Sequence, residues 1–223
     1  VEDYKKLYPG DTEYRKRIYI AAGDALYNNG KADAAERLYK EYLEKDNDKD
    51  VLNALISLQV NEKKYGELGQ SLDKQDKSVD NTYLKAVAAT GVGNYSEAEG
   101  YYNEVLNSIQ NDESSSMYAK VKSNQIRNYF LWEKYDSVIS EGEKYIARED
   151  IQDRDEIIEK IALSYYRSDN PEKSREYFSK LLSNPATAED TKFQIAESYL
   201  AEKNYDKAKE IYDGVYATSE SEK

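Results

Sequence analysis

The chain has 223 residues, with 44 acidic against 32 basic side chains and a net charge of -12, so it lacks the basic footprint that nucleic acid or an anionic membrane requires. It contains no Cys and no His, which excludes disulfides, thiolate metal sites, thiol nucleophiles and the usual neutral-pH proton shuttle. No apolar run approaches the ~18–20 residues that span a bilayer, so direct membrane insertion is not expected. Aliphatic residues are sparse for a folded chain, and the 23 Tyr must therefore supply much of the core volume, each bringing its hydroxyl to the surface. The absence of Cys favours an exported or surface-anchored bacterial protein over a cytoplasmic one, and the excess of Lys over Arg fits a low-GC bacterium.

In chain order, residues 1–11, closed by Pro9-Gly10, read as the end of a helix that precedes the first complete unit. With Val1 as its first residue, the chain reads as a slice of a longer array. A helical hairpin is expected over 16–49, turning at Gly30-Lys31-Ala32. The acidic stretch Asp46 to Asp50 starts like a calcium loop. Val51 and Ser57 stand where that loop needs Gly and a bidentate acid, so it reads as a turn between hairpins. The unit 50–78 turns at Lys63-Lys64-Tyr65, and Gly66 and Gly69 weaken its second helix. The unit 79–112 turns at Gly93-Asn94-Tyr95 and carries Thr82 and Lys85 at positions expected to be apolar. The polar segment 110–116 is either a loop or an N-cap supplied by its serines. The unit 119–152 turns at Glu133-Lys134-Tyr135, with Lys122 and Gln125 again polar and Gly142 where an aromatic is expected. The unit 155–188 shows the helical period in Ile158, Ile161, Ala162, Tyr165 and Tyr166 and turns at Asp169-Asn170-Pro171. The unit 189–218 turns at Lys203-Asn204-Tyr205, and residues 219–223 are expected to fray.

Three positions recur in register with these six turns. Seven residues before each turn stand Gly23, Ile56, Ala86, Ile126, Ala162 and Ala196. Five residues after each turn starts come Ala35, Leu68, Ala98, Val138, Ser174 and Ala208, and four further on Tyr39, Leu72, Tyr102, Gly142, Phe178 and Tyr212. Small residues at the first two positions let two antiparallel helices approach, and the third fills the space toward the next hairpin. This pattern, at a spacing near 34 residues, resembles the tetratricopeptide repeat family, here as a bacterial fragment of it.

The resemblance implies an all-α fold: a right-handed superhelical solenoid of about five or six antiparallel hairpins, forming one array over 1–223. It further implies a concave face, lined by the first helices, that holds a peptide or partner helix. The inner-face positions include Arg17, Asp24, Tyr27 and Asn28 in the first unit, Lys120, Arg127 and Phe130 in the fourth, and Tyr166 and Arg167 in the fifth. The family's clamp for a C-terminal carboxylate, Lys and Asn on successive first helices, is missing. Its places hold Ile20 with Asp24, Asn53 with Ser57, and Tyr83 with Val87, and only Arg127 resembles a member of it.

No catalytic site is expected. Without His or Cys, no base stands ready for a Ser or Thr nucleophile, and the abundant carboxylates read as solvated helix faces. Gly91-Val92-Gly93 lacks the Lys-Ser/Thr pair of a phosphate loop and reads as part of a hairpin turn. The lone Trp132 reads as core or rim packing, and Asn94-Tyr95-Ser96 is a glycosylation tripeptide on a repeat turn. The expected function is a scaffold binding a protein or peptide, with no cofactor and no metal. Two alternatives stand beside it: homo-oligomerisation through apolar array ends, marked by Tyr212, Val215 and Tyr216, and a carbohydrate or ligand module built on Tyr platforms.

Overall fold

The computed structural model describes residues 3, 12–148, 151–185 and 187–221, and its regular structure is entirely helical among them. The helices are α1 (Thr12–Asn28), α2 (Ala32–Leu43), α3 (Lys49–Asn61), α4 (Tyr65–Leu72), α5 (Val79–Gly91), α6 (Tyr95–Ser108), α7 (Ser116–Leu131), α8 (Tyr135–Ile146), α9 (Arg154–Arg167), α10 (Pro171–Ser179), α11 (Ala188–Ala201) and α12 (Tyr205–Ser221). Consecutive pairs form six hairpins: α1 packs on α2, α3 on α4, α7 on α8, α9 on α10 and α11 on α12. The Thr90 and Tyr102 hydroxyls, 3.2 Å apart, tie α5 to α6. Apart from Asp3, the preceding helix expected over 1–11 lies outside the described residues, whereas α12 is helical through Ser221, beyond the point where fraying is expected.

All six hairpins turn in the same way. The first residue of each turn has a positive φ: 72° at Gly30, 55° at Lys63, 83° at Gly93, 59° at Glu133, 58° at Asp169 and 61° at Lys203. The next N–H then reaches back five residues, as Lys31 does to the Leu26 carbonyl (3.0 Å) and Asn204 to that of Tyr199 (2.8 Å). This left-handed cap satisfies the carbonyls that the first helix leaves open and reverses the chain in a few residues. Four of the six positions are not Gly and hold a conformation that costs an L-residue ~1–2 kcal/mol.

The recurring positions are the core of each hairpin. Ala35, Leu68, Ala98, Val138, Ser174 and Ala208 are all buried, as are Gly23, Ile56, Ala86, Ile126, Ala162 and Ala196. Gly23 is required by its neighbour, because a Cβ there would overlap the Tyr39 ring. Gly142 fills its aromatic position by borrowing volume from the following helix: a Cβ would stand 2.8 Å from Ile161 Cγ1.

The chain divides into two compact units, Val1–Val105 and Leu106–Lys223. In the first, Tyr19, Tyr39, Tyr42, Leu52, Leu55, Leu68 and Leu72 pack into one cluster. In the second, Ile126, Val138, Tyr145, Ile157, Ile161, Tyr177 and Phe178 do the same. The Tyr hydroxyls do not simply reach water. Tyr19 donates to Glu41 (2.8 Å), Tyr39 to Asp24 (2.6 Å), and Tyr165 and Tyr177 both donate to Glu143 Oε1 at 2.7 Å. Burial and the Glu143 carboxylate push the Tyr165 hydroxyl up to about 12. An acidic chain thereby turns its excess carboxylates into acceptors for its aromatic core.

The polar residues of the middle hairpins also find partners. Lys85 pairs with Asp73 (2.7 Å), Lys122 with Glu141 (2.6 Å), and the Thr82 hydroxyl donates to the Ser78 carbonyl (2.8 Å). The segment 110–116 resolves into a cap: Ser115 Oγ accepts from Met117 N at 3.2 Å and starts α7. The acidic turn works likewise, with Asp48 accepting from Asp50 N (2.9 Å) and Val51 N (3.3 Å) at the start of α3.

Candidate functional site

The inner-face residues separate into two groups by unit. In the first unit, Arg17 and Asn28 on α1 are exposed, and Tyr27 is half-buried against the core. Asp24, although exposed, is already engaged as the acceptor for Tyr39.

In the second unit, α7 and α9 pack together as neighbouring first helices. Arg127 spends its guanidinium inside this pair. Its Nε and Nη2 donate to the two Glu156 oxygens at 2.7 and 2.6 Å, and Nη2 also reaches Asp153 at 2.8 Å. The Arg127 hydrogen bonds outweigh burial and hold the Glu156 carboxyl at about 2. The side chain that most resembled a receiver for an acidic tail is therefore satisfied within the chain. Phe130 meets the Tyr135 ring edge-on at 6.2 Å and has Lys160 Nζ 5.3 Å from its centroid. Lys120 is exposed at the rim of a cavity of about 490 Å³ that also involves Ser115 and Tyr145. Tyr166 is half-buried and Arg167 exposed at the C-terminal end of α9. The lone Trp132 carries Lys134 Nζ 3.4 Å above its ring, the rim packing its place at the end of α7 suggests.

Another groove of the second unit involves the first helices α9 and α11. A cavity of about 510 Å³ opens between α9 and α11, with the C-terminal end of α10 at its floor. Its walls carry Asp155, Glu156 and Glu159 from α9, and Asp190, Phe193 and Gln194 from α11. Phe193 is exposed and meets the Tyr212 ring at 5.8 Å, while Phe178 and Leu181 form the buried base. The α11 residues were missed because the inner-face pattern was carried onto the first, fourth and fifth units only. Extending it one hairpin further, to the unit that keeps the pattern well, reaches Asp190 and Phe193.

The tetratricopeptide repeat family model matches residues 190–218, the last hairpin. No curated protein matches the chain by sequence. Among solved structures, a tetratricopeptide repeat protein from Parabacteroides merdae is 13% identical with a TM-score of 0.64, the match covering 97% of this chain and 83% of that one. BtubC from P. vanneervenii is 15% identical with a TM-score of 0.61, covering 95% and 92% respectively. A MamA protein is 20% identical with a TM-score of 0.60, covering 77% and 92%. The fold is a tetratricopeptide-like hairpin array.

Among the described residues no Asp or Glu side chains gather in a group of three able to hold a metal ion, and no helix is long and apolar enough to cross a membrane. Tyr19, Tyr39 and Tyr42 are buried in the core cluster of the first unit, and Tyr129, Tyr145 and Tyr177 in that of the second. At the last hairpin the apolar end is smaller than the sequence implies. Val215 is buried, Tyr212 is half-buried against Phe193, and only Tyr216 of the three is exposed.

Proposed function

We propose that the protein is a non-catalytic scaffold that holds a segment of a partner protein against the inner face of its hairpins. The observation that carries this reading is the groove between α9 and α11, about 510 Å³ in volume, with an exposed aromatic on one wall and charged groups on both. An aromatic anchor ringed by polar groups is the composition of interface hot spots. Tyr166 and Arg167 extend the same face along α9, and Arg17, Tyr27 and Asn28 are the corresponding contacts of the first unit. The pairing of Arg127 with Glu156 and Asp153 argues against an acidic-tail ligand at that point.

Selection of a displayed peptide library on the immobilised protein tests the proposal. Enriched peptides are expected to lose binding with Phe193→Ala or Tyr166→Ala and to keep it with Arg37→Ala, exposed on the second helix α2. Enrichment that is indifferent to the inner-face substitutions would remove the groove from the function.

A second reading, self-association through the last hairpin, draws on exposed Leu200, Tyr205 and Tyr216 on a hairpin that also carries a cavity of about 460 Å³ lined by Tyr199, Ile211 and Val215. Light scattering across protein concentration tests it, a strict monomer at high concentration counting against it.

A further inference from the structure

The groove between α9 and α11 has a charge pattern that restricts what enters it. Among the described residues, four carboxylates line it, on Asp155, Glu156, Glu159 and Asp190, and no cationic side chain does. These four are not equivalent. Glu156 is neutralised by Arg127 (2.6 Å) and Lys160 (3.3 Å), and Asp155 accepts from the Asn184 amide at 2.8 Å. Glu159 and Asp190 are exposed and engage no ion pair or side-chain hydrogen bond among the described residues. Both line the same cleft, Glu159 from α9 and Asp190 from α11, together with Phe178, Leu181 and Phe193. Two uncommitted carboxylates beside an apolar floor leave a site in which a cation gains a Coulomb partner while its aliphatic stem lies on apolar surface, as Lys and Arg side chains do. The edge of the Phe193 ring adds a surface for an apolar neighbour.

Resting on the scaffold reading above, we propose that this groove takes a basic, partly apolar segment of a partner protein, a Lys or Arg side chain seated between Glu159 and Asp190 and an adjacent apolar side chain packed on Phe193. A second copy of this chain is a poor occupant, since two molecules of net charge -12 repel each other and the groove adds carboxylates to that repulsion. An acidic segment would meet the same two carboxylates, while Arg127 and Lys160 are already committed to Glu156.

Three synthetic peptides of equal length and equal apolar content, one with Lys and Arg, one with Asp and Glu and one with Ser and Asn at the polar positions, serve as probes on the full chain. Binding is read by fluorescence polarisation and mapped by amide chemical shifts. The basic peptide is expected to bind, to shift amides around Glu159, Asp190 and Phe193, and to weaken as salt is raised. The double variant Glu159→Gln with Asp190→Asn, exposed substitutions not expected to disturb folding, should weaken it about five- to tenfold. Circular dichroism checks that the variant keeps its helix content. Phe193→Ala should weaken all apolar-containing peptides without restoring the acidic one.

Neutral and basic peptides binding the groove equally, with the double variant indifferent, would overturn the basic specificity and leave the scaffold reading standing. Binding of the acidic peptide at the groove would overturn it in the same way. Failure of all three peptides to shift any inner-face amide would overturn both.

Discussion

Glu36 offers a direct test of how this acidic chain stabilises itself. Its carboxylate is buried in the first unit, on α2, and accepts from Lys40 (2.7 Å), Lys64 (2.6 Å) and the Gln59 amide (3.3 Å). Burial alone would raise its pKa, but the hydrogen bonds from Lys40, Lys64 and Gln59 outweigh it and hold the group at about 2. An unfolded Glu titrates near ~4.3, so the folded state prefers the ionised form by roughly 3 kcal/mol at neutral pH. A depressed carboxyl gives stability that is fully present above the unfolded pKa and is lost as pH falls toward the folded one. Glu36→Gln removes this contribution while keeping the shape of the side chain. Urea unfolding followed by far-ultraviolet circular dichroism should show the variant about 2–3 kcal/mol less stable than the native chain at pH 6. The gap should narrow by roughly 2 kcal/mol at pH 3, because the native chain loses the contribution and the variant never had it. A gap of the same size at both pH values would refute the electrostatic account and assign the effect to packing.

The turn geometry, the helix contacts and one orphaned hydroxyl give further expectations. Lys63→Gly, Glu133→Gly and Lys203→Gly relieve left-handed backbone at positive φ and should each stabilise by ~0.5–1 kcal/mol in the same unfolding assay. Gly23→Ala should destabilise by ~1–3 kcal/mol or more, since the new methyl meets the buried Tyr39 ring, whose hydroxyl is held by Asp24. Ser174 is fully buried and its hydroxyl has no hydrogen-bond partner among the described residues, so Ser174→Ala should raise stability by about 1 kcal/mol, detectable as a higher melting temperature.

Much of the hairpin architecture is legible in the sequence because its causes are local. A small residue seven positions before a turn, another five after its start, and a turn that accepts positive φ act within one hairpin of about 34 residues, so they repeat in the sequence at that spacing. The six turns, the buried recurring positions and the paired helices all follow from that register. The N-cap choice at 110–116 was also local: of the two readings the residues allowed, Ser115 supplies the cap.

The site was less legible, because its partners come from different helices. Arg127 and Glu156 are 29 residues apart in the chain, and nothing in either local pattern says that one will consume the other. Tyr165 and Tyr177 share Glu143 for the same reason, and Gly142 stands in an aromatic position only because Ile161 reaches into it. What the sequence by itself determined is a stack of about five or six hairpins, their turns and the residues that press their helices together, since these depend on contacts between near neighbours. Only the tertiary structure decided which carboxylates are committed to Arg, Lys and Tyr partners and which, like Glu159 and Asp190, are left facing an open groove, because that depends on the approach of helices far apart in the chain.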